Sequence, residues 1–201
     1  MARYTGPKTK ISRIFGEPIL GNGKWLGKNS NPPGQHGAQR KRKSLGEYAL
    51  QLREKQKAKY TYGLLEKQFH KTFVEAERRR GVTGQVLIQL LEARLDNIVF
   101  RLGIAPSRPA ARQLVAHKHI AVNDIIVNVP SFQLKPGDVI TLKESTKSNT
   151  GITSQMGSKN PKFGWLDYNE AEMKGTFLTY PERENVPENI KESLIVELYS
   201  K

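Results

Sequence analysis

Apolar positions recur with a helical period through the middle of the chain and with a strand period after it. Ser44-Leu45-Gly46-Glu47 reads as a capping box, with Ser44 at the N-cap and Glu47 at N3. Leu45, Tyr48, Ala49 and Leu52 follow at helical spacing. From Arg53 to Lys59 this helix is cationic nearly all round, which predicts that it stays unburied. A second helix from about Gly63 carries Leu65, Phe69, Phe73 and Ala76 on one stripe and ends in Arg78-Arg79-Arg80-Gly81. Thr83 caps a third, with Val86, Leu87, Leu90 and Leu91 inward, so residues 44–90 predict a helical bundle.

Leu95, Ile98, Val99 and Leu102 continue a helical stripe that stops at Gly103. Ser107 is placed to cap a short helix that tolerates Pro109 in its first turn and turns Ala111, Leu114 and Val115 inward. The period then drops to two. Ile120 and Val122 lead into an Asn123-Asp124 turn, and Ile125 and Val127 lead out of it. Pro136-Gly137-Asp138 turns the chain into Val139–Leu142. Two helices followed by a small antiparallel sheet predict an α+β module of about 50 residues. Lys143 to Pro161 reads as a mobile Ser/Thr/Gly/Asn-rich loop. Trp165-Leu166, Thr176-Phe177-Leu178 and Leu194-Ile195-Val196 read as strand-like pieces.

Charge changes this picture at the N-terminal end. Of the net +14, residues 1–80 carry 19 Lys and Arg against 6 Asp and Glu, a net of +13, whereas residues 156–201 carry 6 against 8. Residues 1–43 show no sustained period. Gly21-Asn22-Gly23 and Asn31-Pro32-Pro33-Gly34 are turn makers, and Ile11, Ile14, Phe15, Ile19, Leu20, Trp25 and Leu26 are sparse anchors. This arm cannot bury enough apolar surface to fold alone and is expected to become ordered against a partner. Such a block of like charge points to a polyanion. Residues 18–46 hold Lys24, Lys28 and Arg40–Lys43 with no acid between them, unlike a solvated face, where both signs alternate. An interfacial membrane helix needs large apolar residues opposite its lysines, and between Arg53 and Lys59 only Ala58 is apolar. Nucleic acid is therefore favoured over a membrane surface. Trp25, Tyr48, Tyr60 and Tyr62 are interleaved where they can stack on bases. Composition leaves RNA and DNA both open, with folded RNA favoured by the long basic arm.

No stretch approaches the roughly 18 consecutive apolar residues of a membrane span, and the N-terminus has no apolar signal core. With no cysteine, disulfides, thiol nucleophiles and cysteine-based zinc sites are excluded, and a cytosolic protein is expected. Glu92 and Asp96 could form an acid/base pair, but pairing with Arg94, Arg101 or their neighbours is the plainer reading. No Gly-x-Ser-x-Gly elbow or Gly-Lys-Ser/Thr phosphate loop occurs, and Gly21-x-Gly23 lacks the rest of a dinucleotide site. His117-Lys118-His119 places two imidazoles two apart, which a strand would put on one face. A metal would need two more ligands and is disfavoured by the intervening lysine, so a phosphate-facing edge is the better reading. His36 and His70 read as structural or contact residues. Neither cofactor nor metal is expected.

Leu91-Glu92-x-Arg94-Leu95-Asp96-Asn97-x-Val99-x-Arg101-Leu102-Gly103, then Ser107-Arg108, Ala111-Arg112 and His117-Lys118-His119-Ile120-x-Val122-Asn123, closely resembles the αL RNA-binding motif, completed by Pro130-Ser131 and Lys135-Pro136-Gly137-Asp138. Pro32-Pro33-Gly34-Gln35-His36-Gly37, Gln51–Lys57, Tyr62-Gly63-Leu64-Leu65-Glu66 and Ile195–Ser200 resemble the family of the bacterial small-subunit ribosomal protein numbered four. The resemblance covers almost the whole chain. It implies an α+β protein in three parts: a basic arm plus helical rRNA-binding domain over 1–90, an αL domain over 91–155, and an extension over 156–201 packing back on the body. It implies a non-enzymatic primary binder of a helix junction in the 5′ domain of small-subunit rRNA. That binder nucleates assembly of the subunit body and contacts the fifth small-subunit protein at an interface linked to decoding accuracy. The implied place is the cytoplasmic ribosome, near the channel by which mRNA enters, with no membrane and no homo-oligomer. Zinc-binding relatives carry Cys-x-x-Cys near the N-terminus, where Thr9 and Ser12 stand here. This resembles the zinc-free form, with its arm expected to be held by RNA.

The RNA-contact set expected on this basis comprises three groups. From the arm come Arg3, Lys8, Lys10, Arg13, His36, Arg40, Lys41, Arg42 and Lys43, and from the first long helix come Arg53, Lys55, Lys57 and Lys59. From the αL module come Arg94, Asn97, Arg108, Arg112, His117, Lys118, His119 and Asn123. Asn123-Asp124 replaces the usual Asn-Gly of the hairpin, so a strained turn or another turn type is expected there. An RNA-modifying enzyme would show about 100 further residues with clustered polar groups, and a stand-alone stalled-ribosome factor would not need the Pro-Pro-Gly-Gln-His-Gly arm.

Overall fold

A computed structural model describes residues 4–20, 24–38, 46–148, 163–169 and 172–200. Along the chain it places α1 (Lys8–Phe15), α2 (Lys24–Lys28), α3 (Glu47–Thr61), α4 (Glu66–Arg78), α5 (Thr83–Glu92), α6 (Leu95–Arg101) and α7 (Arg108–Ala116). Strands β1 (Ile120–Val122), β2 (Ile125–Ile126) and β3 (Val139–Leu142) follow, then α8 (Glu144–Lys147), β4 (Leu166–Asn169), β5 (Lys174–Phe177) and α9 (Glu192–Tyr199). The class is α+β, as the periodicities predict. Two compact units form, residues 1–84 with 189–201 and residues 85–188. The division falls inside α5 rather than at residue 90. The expected C-terminal extension is shared between them, residues 163–188 joining the second unit and 189–200 the first.

In the first unit, the stripe on α4 is core: Phe69 and Phe73 are buried, with the Tyr199 ring of α9 at 6.4 and 4.5 Å from their centroids. Leu194–Val196 is helix, not strand. A short apolar run has no period of its own, and here packing of α9 on α3 decides it: Ile195 is buried, and Gln51 of α3 donates to Glu197 at 3.0 Å. The expected capping box does not form as read. Glu47 is the first helical residue, Gly46 is the N-cap, and Ser44 lies outside the described residues. The cationic stretch of α3 is not all exposed either. Lys55 and Lys57 are buried because Glu66 (2.5 Å) and Glu17 (2.8 Å) neutralise them.

In the second unit, five strands form an antiparallel sheet in the order β2-β1-β3-β5-β4, so the tail adds two strands to the small sheet read from the sequence. Leu95, Ile98 and Val99 of α6 and Ala111 and Val115 of α7 share one core with Ile120, Ile140, Trp165 and Phe177. A Cβ on Gly175 would come within 2.4 Å of Leu102, so glycine is what lets β5 approach the end of α6. Ser107 caps α7 as expected, accepting from the Ala110 amide at 3.4 Å. Asn123 and Asp124 both have positive φ (49° and 66°) between the paired Val122 and Ile125, the two-residue turn whose twist suits a hairpin. Part of the expected loop is helical, since Glu144–Lys147 forms α8; residues 149–162 lie outside the described residues.

Candidate nucleic-acid interface

Arg3, Arg40, Lys41, Arg42 and Lys43 lie outside the described residues. Elsewhere in the arm, Lys8 and Lys10 are exposed on α1. Arg13 donates to the carbonyls of Asn31 (2.8 Å) and Pro32 (3.2 Å), tying α1 to the Pro-Pro-Gly-Gln-His-Gly loop. That loop is tight: a Cβ on Gly37 would sit 1.9 Å from the Pro32 oxygen, and Gly34 has φ 112°. His36 is exposed on it.

The cations expected on α3 face other parts of the first unit. Arg53 donates to the carbonyls of Ile14 and Phe15, and Lys57 pairs with Glu17. Lys55 and Lys59 both reach Glu66, the latter at 3.4 Å. Partial burial pushes the Glu66 carboxyl up, but hydrogen bonds from Lys55 and Tyr199 with the charges of Lys55 and Lys59 outweigh it, and its pKa is lowered. Tyr199, partly buried and donating to Glu66 at 3.0 Å, is held well above the usual phenol range.

The αL residues surround an internal ionic cluster. Arg94, at the N-cap of α6, is buried and forks onto Asp96 at 3.1 and 2.8 Å. The cause is a pairing further along the chain: residues 93–96 bond to the 130–134 loop through Leu95 N–H to Phe132 and Leu134 N–H to Ala93, which turns the arginine inward. Arg101 forks onto fully buried Glu92 (3.0 and 2.7 Å), to which Asn97 also donates at 2.7 Å. Arg108 donates to Asn97 (2.8 Å) and joins Arg101 on Glu188; Arg112 reaches Asp96 at 3.1 Å. Burial pushes Glu188 up, but the charges and hydrogen bonds of Arg108 and Arg101 prevail and its pKa is lowered. Glu92 and Asp96 are thus held in arginine forks, the plainer of the two readings, and have no open face for acid/base work.

His117 and Lys118 are exposed at the end of α7, Lys118 with φ 63°. His119 is half-buried, its Nδ1 2.8 Å from the Thr146 hydroxyl. The His117 and His119 rings lie 6.3 Å apart, and among the described residues no cluster of metal-ligating side chains occurs. Asn123 locks the hairpin to β3, donating to Asp138 and accepting from the Val139 amide, both at 2.9 Å.

One exposed cationic face escaped the sequence reading. Lys67, Lys71 and Arg78 lie along α4 opposite the Phe69/Phe73 stripe, with Arg80 just beyond. The signal was present in their spacing of four and seven, but attention to the apolar stripe hid it. No helix among the described residues is long and apolar enough to cross a membrane.

Residues 3–92 match the ribosomal protein S4/S9 N-terminal domain family, and residues 93–140 match the S4 domain family. The chain is 59% identical to the small ribosomal subunit protein uS4 of Cytophaga hutchinsonii and to that of Porphyromonas gingivalis. It is 55% identical to that of Flavobacterium psychrophilum; in all three the match covers 100% of both chains.

Proposed function

The chain belongs to the ribosomal protein S4 family, structural constituents of the small subunit rather than enzymes, and from that premise we propose that it is a primary binder of small-subunit rRNA. Its target is a helix junction in the 5′ domain, where it nucleates assembly of the subunit body. Contact with the fifth small-subunit protein gives it a part in decoding accuracy, beside the channel that mRNA enters.

The observation that carries this reading is the sorting of cations. Glu17, Glu66, Glu92, Asp96 and Glu188 are engaged by buried or half-buried Lys and Arg, while Lys8, Lys10, Lys67, Lys71, Arg78 and Lys118 are directed to solvent. With Arg3 and Arg40–Lys43, these are the groups to neutralise phosphates at a crowded junction, where counterion release drives association. Arg108 and Arg112, at the edge of the ionic cluster, and His36, His117 and Asn123 supply hydrogen-bond donors around them. Arg94, Asn97 and Arg101 hold that edge in place from within.

Binding of the full chain to a 5′-domain fragment of small-subunit rRNA at about 0.3 M salt, where weak phosphate contacts are suppressed, tests the reading. Retention of the 5′-domain fragment over an equally long large-subunit fragment is expected. Equal binding to both would overturn it.

A further inference from the structure

We propose that Arg53 and Lys57 of α3, together with Glu17, form a clasp that fixes the first helix of the basic arm, so that these two cations act on RNA by positioning the arm and not by touching phosphates. The proposal rests on the rRNA-binding reading for its consequence, but its geometry stands apart from it.

Arg53, Lys57 and Tyr60 stand at i, i+4 and i+7, one face of α3. Arg53 donates to the carbonyls of Ile14 (3.2 Å) and Phe15 (3.0 Å), which close α1 and have no partner inside that helix. Its guanidinium also lies 5.9 Å from the centre of the Phe15 ring. One turn on, the Lys57 ammonium is 2.9 and 2.8 Å from the two oxygens of Glu17, just past the end of α1. Tyr60 completes the seat, its ring 6.3 Å from Phe15 and 5.4 Å from Tyr4. Ile11 and Phe15 are buried in consequence. Through Arg13 the hold extends to the 31–37 loop and its exposed His36.

Lys57 is only 7% exposed, so reaching a phosphate would require breaking its pair and withdrawing it from the interior. The arm thereby has a protein-built hold of its own, which modifies the expectation that RNA alone orders it. Lys8 and Lys10 then project outward from a fixed helix, and less ordering entropy remains to be lost on binding.

Charge reversal separates the two roles. Glu17→Lys makes the chain more cationic, so a phosphate-contact model predicts tighter RNA binding; the clasp predicts weaker binding, by about five-fold, because two ammonium groups then face each other. Lys57→Glu should weaken binding similarly. The double variant Glu17→Lys/Lys57→Glu restores the pair with its sign exchanged. It should bind the 5′-domain fragment within about two-fold of the parent, with an unchanged slope of log affinity against log salt. Tighter binding by Glu17→Lys, or a double variant that is not rescued and whose slope falls by about 0.7–0.9, would overturn the clasp. Amide exchange of the RNA-free chain gives a second reading. Gly16, whose N–H bonds Ser12 at 2.8 Å, should be protected in the parent and the double variant and lose protection in Glu17→Lys and Arg53→Met. No protection in the parent would also overturn it. Loss of 5′-domain preference by the parent would remove the rRNA reading alone, the clasp then being judged by exchange.

Discussion

Replacing Arg101 with Met tests whether the ionic cluster of the second unit is a structural element of the αL surface. Glu92 is fully buried and accepts three charge-directed bonds, two from Arg101 (3.0 and 2.7 Å) and one from Asn97 (2.7 Å). Met has nearly the same stem volume and no donors. Losing two bonds to a carboxylate, each worth about 1.5–3 kcal/mol, agrees with the roughly 3–5 kcal/mol cost of leaving a buried charge without its partner. Arg101→Met should therefore destabilise the second unit by about 3–5 kcal/mol. The double variant Arg101→Met/Glu92→Leu removes both charges and should recover part of that loss, since the desolvation of both groups disappears with them while Glu188 keeps Arg108 alone. Trp165 is buried in this unit's core and the chain has 2 Trp, so urea unfolding followed by fluorescence in a Trp25→Phe background reports the second unit alone. A loss under about 1 kcal/mol, or a double variant as unstable as the single one, would refute the reasoning.

Glu188 supplies a pH dependence. Its folded pKa is lowered from a reference of 4.5, so its contribution is complete above that reference and fades as pH falls through the lower folded value. The stability gap between the parent and Glu188→Gln, measured by urea midpoint, should be constant near neutrality and shrink below about pH 4.5; a gap that widens on acidification would contradict it. Phe69→Ala should cost about 3–5 kcal/mol, since the ring is fully buried, and thermal unfolding measures it. Asp124→Gly should stabilise the hairpin by about 0.5–1 kcal/mol, because Asp124 is held at φ 66°, where glycine carries no Cβ penalty. Alanine at Arg40–Lys43 should weaken 5′-domain binding and lower the salt slope by about 0.7–0.9 per lost contact, read from affinities between 0.1 and 0.4 M KCl.

The parts of this molecule that a sequence discloses are those with a local cause. Phe69 and Phe73 are four apart and amphipathic, so α4 and its buried face follow from spacing alone; Ser107 followed by Pro109 announces the start of α7 in the same way. What stayed hidden has its cause far along the chain. Lys57 looks exposed among its neighbours on α3 because its partner, Glu17, is 40 residues away; Arg101 gives no sign that Glu188 lies beside it from 87 residues on. In the tail the strand-like reading holds for β4 and β5, but their place beside β3 was not visible, and Leu194–Val196 failed as a strand because α3 receives it as the helix α9. Local propensity is weak in α9 and tertiary packing decides. The charge count nevertheless survives this correction. Lys57 pairs with Glu17, Lys55 with Glu66 and Arg79 with Glu75, so these internal pairs consume acids of the first 80 residues that the net of +13 has already subtracted. Those pairs leave the excess intact and place it on other side chains, Lys8 and Lys10 on α1 and Lys67, Lys71 and Arg78 on α4 among them. A polyanion would therefore meet the excess on α1 and α4 rather than on the inward-turned cations of α3.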